Sequence, residues 1–154
     1  MKKIIFIAFI ALFSFSTQAQ EGLTWHTDMS KATDISIKEN KPMFLFFTGS
    51  DWCGWCIRLQ KEVFHTPEFI KWAKESVVLV ELDFPRKNEQ TDAVKMQNAQ
   101  LQQQLQVRGY PTVWFVSAAK TAEAKINLNA LGSTGYVAGG PEKWLAAANQ
   151  IIKK

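Results

Sequence analysis

Both cysteines of this 154-residue chain lie in one short stretch, Gly49-Ser50-Asp51-Trp52-Cys53-Gly54-Trp55-Cys56, three positions apart and beside two of its six tryptophans. Closing so small a loop by a disulfide removes little chain entropy. The gain is about 2 kcal/mol by the loop relation, against about 3 for a fifteen-residue loop. A bridge meant as a staple would tie distant segments, so this spacing points to chemistry on sulfur. An apolar run at 44–47 leads in and an amphipathic stretch at 57–64 leads out, which places the pair where a strand turns into a helix. With Cys53 at the helix start and Cys56 one turn on, the two thiols share a face and lie within disulfide reach. The unpaired amides and dipole of that helix end favour a thiolate at Cys53. Cys53 is expected to be the more exposed, with Cys56 tucked behind it: one sulfur attacks and the other resolves.

Two further places carry polar or backbone signals. Gly109-Tyr110-Pro111-Thr112 stands just before a strand, where proline is either an ordinary edge device or a cis peptide. Glu81 interrupts an otherwise apolar strand. A buried carboxylate without a partner is costly, so Glu81 either has a task or faces solvent at a strand end.

The elements that must hold these residues follow from periodicity and caps. Asp28 reads as the N-cap of a helix over 28–40, stopped by Lys41-Pro42. Residues 43–47 form an apolar run of strand length, covered on both faces as a central strand is. A helix is expected over 54–64, and a second one opens at Thr66-Pro67-Glu68, where a hydroxyl cap, a first-turn proline and an early acid coincide. A strand spans 77–84, with Val78, Val80, Leu82 and Phe84 on one face. A Gln-rich helix over 91–106 carries a thin apolar stripe of Val94, Leu101 and Leu105 and reads as a solvated helix face. Strands are expected over 112–116 and 124–131. A last helix starts at 139–142 and sets Trp144, Leu145, Ala148, Ile151 and Ile152 on one side. Strands alternating with helices give a single α/β domain.

The N-terminus is a separate segment. A basic start, an apolar run over 4–15 and small residues at 17 and 19 read as a secretory signal peptide over residues 1–19. The run is short of the roughly 20 apolar residues that span a bilayer. The mature domain is then 20–154, and the protein is expected to be exported, in the periplasm. The net charge of +4 is carried by scattered Lys and Arg, which makes no footprint for nucleic acid.

Trp52-Cys53-Gly54-Trp55-Cys56 after an apolar strand, with Gly109-Tyr110-Pro111-Thr112 before another, resembles the thioredoxin superfamily over about 25–154. The likeness extends to exported bacterial thioredoxin-like proteins and to the C-terminal domain of the membrane electron-transfer protein that supplies reducing equivalents to the periplasm. It implies a thioredoxin fold: a mixed sheet of four or five strands flanked by helices. It implies that the Tyr110–Pro111 bond is cis and lies against the cysteines. The backbone of Tyr110 would pair with an extended substrate, while Trp52, Gly54 and Trp55 line the groove. Cys53 and Cys56 would be catalytic in thiol–disulfide exchange with protein thiols and disulfides, with no cofactor. The family also points to a membrane-bound electron donor. A monomer is expected, because no residues are left over for the dimerisation domain an isomerase would need.

One departure stands out. Thioredoxins carry a buried acid six residues before the first cysteine, and that place here is Phe47. Glu81 is the substitute for proton transfer. Trp55 beside Cys56 cannot donate the positive charge that a histidine gives in strongly oxidising relatives, which favours a reductase over an oxidase or isomerase. Two other classes remain as alternatives. A metal site would recruit His26 or His65, though zinc needs four ligands and both lie far from the pair. A peptide-binding module would keep the fold and leave the disulfide inert.

Overall fold

The computed structural model describes residues 22–123 and 125–153, so the expected signal peptide lies outside the described residues. Helices α1 (Met29–Glu39), α2 (Gly54–Leu59), α3 (Pro67–Ser76), α4 (Asp92–Gln104) and α5 (Gly140–Ile152) alternate with strands β1 (Met43–Thr48), β2 (Val78–Asp83), β3 (Thr112–Lys120) and β4 (Ile126–Thr134). The strands form one sheet in the order β2-β1-β3-β4. β1 runs parallel to β2 and antiparallel to β3, and β4 closes the sheet antiparallel to β3.

All six residues of β1 are buried, as its unbroken apolar run requires. Period two then divides its side chains. Phe44 and Phe46 join Leu59, Phe64, Phe69 and Trp144 on the face covered by α2, α3 and α5. Met43, Leu45 and Phe47 join Met29, Ala32, Val80 and Leu82 on the face covered by α1 and α4. Phe44 is the centre of the first layer, within 5.4–6.4 Å, centroid to centroid, of the rings of Trp25, Phe64, Phe69, Trp72, Phe115 and Trp144.

The helix ends follow the caps in the sequence. The Asp28 carboxylate accepts from Ser30 and Lys31 N–H at 2.9 and 3.2 Å, and Asn40 ends α1 in the left-handed region at φ 52°. Thr66 caps α3 ahead of Pro67, and Thr91 caps α4.

Three elements depart from the sequence reading. The helix expected over 54–64 is α-helical only to Leu59 and continues as a π-helical turn, Gln60–Phe64. β3 and β4 extend beyond the apolar stretches that announced them, because they pair with each other past the core edge. Helix α4 is more than a solvated face. Gln97 accepts from Met29 N–H at 3.0 Å and donates to the Thr27 carbonyl at 2.9 Å. The buried Asn98 donates to the Asp83 carbonyl at 2.9 Å. Among the described residues no helix is long and apolar enough to cross a membrane.

Candidate active site

β1 ends at Thr48, and the chain turns through Gly49 into α2. The turn is tight: the Cys53 and Trp52 N–H groups both donate to the Gly49 carbonyl, at 2.8 and 3.2 Å. A Cβ on Gly49 would overlap the Trp52 indole, so glycine is what lets that ring fold back. Cys53 is the N-cap of α2, in extended conformation. Its Sγ accepts from the Cys56 N–H at 3.2 Å. That is where a thiolate gains from free amides and the helix dipole. Cys53 and Cys56 are joined in a disulfide with Cα atoms 5.3 Å apart. Cys53 keeps 6% exposure and Cys56 none, so an attacking partner reaches only the first sulfur.

Ser50 N–H and Oγ both donate to the Asp83 carboxylate, at 2.8 and 2.5 Å. The Asp51 carboxylate accepts from the N–H groups of Arg86, Lys87 and Asn88 at 2.9, 2.7 and 3.0 Å. Those backbone bonds hold its carboxyl below the usual carboxylate range. The turn bearing the disulfide is thus stitched to the end of β2 and to the loop after it.

The aromatic wall follows from the same stitching. Trp52 donates its indole N–H to the Phe84 carbonyl at 2.8 Å, meets Tyr110 edge-on at 5.8 Å and carries the Arg86 guanidinium 4.0 Å over its ring. Tyr110 stacks on Phe84 at 5.3 Å. Burial pushes its phenol above the ordinary value. The Tyr110–Pro111 peptide bond is cis, and Pro111 opens into β3. Trp52 and Tyr110 are thereby brought together beside the disulfide turn, while Trp55 stands on the first turn of α2. Trp52 and Trp55 stay 37% and 55% exposed beside a nearly buried disulfide, an arrangement suited to receiving another chain.

Phe47, where thioredoxins carry an acid, packs among the apolar side chains of the α1/α4 layer and stacks on Phe84 at 6.4 Å. Glu81 pairs with Phe46 in register and shares with Leu79 the sheet face of the disulfide layer. It is half-buried, and that burial, followed by the negative Asp83, raises its carboxyl above the usual range. His26 is engaged through its backbone, which brackets β2 by bonds to Leu79 and Glu81. Among the described residues no group of three or more His, Cys, Asp and Glu is placed to hold a metal ion.

Residues that sequence reasoning passed over also belong to this surface. Arg58 and Glu62 are visible as an i,i+4 ion pair but as nothing more. Tyr136, Arg86 and the Asp51 cradle have no signal in the sequence, because their partners lie 35 to 74 positions away.

A model of thioredoxin-like domains matches residues 29–125. The chain belongs to the thioredoxin-like domain family. Within that family it is similar to the disulfide bond reductase DsbH of Chlamydia pneumoniae, with 36% identity over 119 residues that cover 77% of this chain and 71% of that protein. A solved structure of a DsbH oxidoreductase superposes with a TM-score of 0.75 at 33% identity over 95% of both chains. The oxidised C-terminal domain of Neisseria meningitidis DsbD shares the fold, with a TM-score of 0.52 and 18% identity over 83% of this chain and 99% of that one. The expected fold, a mixed sheet of four or five strands flanked by helices, is the fold observed, with four strands.

Proposed function

We propose that this thioredoxin-like protein is an exported reductase of protein disulfides, with Cys53 as nucleophile and Cys56 as resolving thiol. Membership of the family makes it a thiol–disulfide oxidoreductase. The observation that carries the assignment of roles is the Cys53–Cys56 disulfide at the start of α2, with the Cys53 sulfur at the amides and Cys56 sealed behind it.

In the reducing direction the Cys53 thiolate attacks one sulfur of a substrate disulfide, and the other substrate sulfur leaves as a thiolate. Cys56, deprotonated, then attacks the Cys53 sulfur of the mixed disulfide. The second substrate sulfur leaves, the substrate holds two thiols, and the enzyme holds the disulfide seen here. Two electrons have passed from enzyme to substrate. A dithiol donor must return them, and we assign that role to a membrane-bound protein on the exported side. Trp52, Gly54, Trp55, Tyr110 and Pro111 form the wall along which the substrate lies. Glu81 is the proton carrier for Cys56, supported by its place on the disulfide face and by a carboxyl that burial and then Asp83 raise above its usual range. The reducing direction is favoured by Trp55, which gives Cys53 no positive charge, and by the similarity to a disulfide bond reductase of Chlamydia pneumoniae. The monomeric state and the signal over 1–19 belong to the same proposal.

The test is reduction of insulin by the reduced protein. Wild type reduces it, Cys53→Ser does not, and Cys56→Ser accumulates the mixed disulfide. Equal rates for wild type and Cys53→Ser would leave a peptide-binding module. A reduction potential near the thioredoxin value of about −270 mV supports the direction, and one near about −120 mV reverses it.

A further inference from the structure

Trp55 projects from the first turn of α2 with more than half its surface in solvent. A free indole at that place would sample several rotamers. Three other side chains prevent this. Glu62 Oε1 accepts from Arg58 Nε at 2.8 Å, and Glu62 Oε2 accepts from the Tyr136 hydroxyl at 2.5 Å. The Arg58 guanidinium so held stands 5.3 Å from both the Trp55 and the Tyr136 ring centroids. The two rings meet each other at 5.1 Å. Trp55 is therefore flanked by a cation and a phenol that also meet each other, with one carboxylate fixing both.

The geometry of this cluster is not local. Glu62 lies in the π-helical turn after α2, the kind of insertion that recurs at functional sites. Tyr136 comes from the segment before α5, 74 positions from Glu62. Both ends of the carboxylate are used. The phenol and the guanidinium beside Glu62 keep its carboxyl below the usual range, and the Tyr136 phenol is raised by that same bond. At neutral pH Glu62 therefore stays charged and the Tyr136 phenol stays protonated. Beside the cluster an open niche of about 180 Å3 is lined by Gly54, the residue that follows Cys53, and by Trp55 and Arg58.

Building on the reductase reading, we infer that Glu62 and Tyr136 are positioning residues that pre-set Trp55 and Arg58 as one wall of a subsite for the protein substrate beside Cys53. Ordering an aromatic platform before the substrate arrives removes that entropic cost from binding. It does nothing for the sulfur chemistry, so its loss falls on KM and leaves kcat.

Tyr136→Phe keeps the ring and deletes the hydroxyl, and Glu62→Gln keeps the shape and deletes the charge. Each is expected to raise KM for insulin about three- to tenfold, the scale of one side chain ordered on binding, with kcat within about twofold. With 5-fluorotryptophan incorporated, the 19F resonance of Trp55, assigned through Trp55→Phe, should shift and broaden in both variants. Thermal midpoints show that the variants fold. An unchanged KM, a fall in kcat at constant KM, or an unmoved Trp55 resonance each overturns the inference. If wild type fails to reduce insulin, the reductase reading fails instead, while the 19F measurement still decides whether Glu62 and Tyr136 hold Trp55.

Discussion

Thr48, the last residue of β1, offers a prediction whose sign runs against the usual effect of core substitutions. Its side chain is fully buried, and among the described residues Oγ1 has no hydrogen-bond partner. The backbone around it is satisfied, since the Thr48 carbonyl accepts from Phe84 N–H at 2.9 Å. By alternation its side chain follows Phe44 and Phe46 towards the disulfide layer. A buried hydroxyl left unpaired costs about 1–3 kcal/mol, and valine replaces it with a methyl of nearly the same volume. That methyl adds about 0.8 kcal/mol of transfer free energy. Together the two terms predict that Thr48→Val stabilises the oxidised protein by about 2–4 kcal/mol, at about 2–4 °C per kcal/mol for a chain of this size. Urea unfolding of the oxidised form is the assay, with the midpoint rising and the slope m unchanged. Thr48→Ser keeps the hydroxyl and loses the methyl, so it should fall below wild type. If Thr48→Val is the less stable protein, the hydroxyl has a partner such as an ordered water, and the reasoning is refuted.

Three more outcomes follow from the same layers. The Glu81 carboxyl titrates above its unfolded value because of burial and then Asp83. The native state keeps this proton to higher pH than the unfolded chain does, so the stability the protonated form provides is full below about pH 4 and is lost as pH rises through the folded pKa. Glu81→Gln should consequently gain stability over wild type at pH 7 and show no gain at pH 3.5 in urea titrations. The same variant should slow resolution of the mixed disulfide in stopped-flow traces, and unchanged kinetics would remove Glu81 from the proton route. Phe44→Ala empties the centre of the aromatic layer, where the rings of Phe64, Phe115 and Trp144 are themselves held by other contacts and cannot collapse inwards. A loss of about 4–5 kcal/mol is expected, and a measured loss under about 2 kcal/mol would show that the layer repacks.

Much of this protein is written locally in its chain. The Cys53–Cys56 spacing, the caps at Asp28, Thr66 and Thr91 and the unbroken run of β1 are all decided by neighbours within one or two turns, where periodicity and propensity act. The family motif around Tyr110 and Pro111 added the expectation that two distant stretches meet. What tertiary structure alone decided is how the disulfide is framed. Phe47 turns to the α1/α4 layer and Thr48 to the other, and Gln97 and Asn98 anchor a helix that looks merely solvated. The π-helical turn sets Glu62 where Tyr136 reaches it across 74 positions. Such partners leave no periodic trace, because a hydrogen bond across the fold constrains two residues and nothing between them. The cysteine pair announced sulfur chemistry by its spacing, whereas the walls that receive a substrate exist only once the sheet and helices have closed around it.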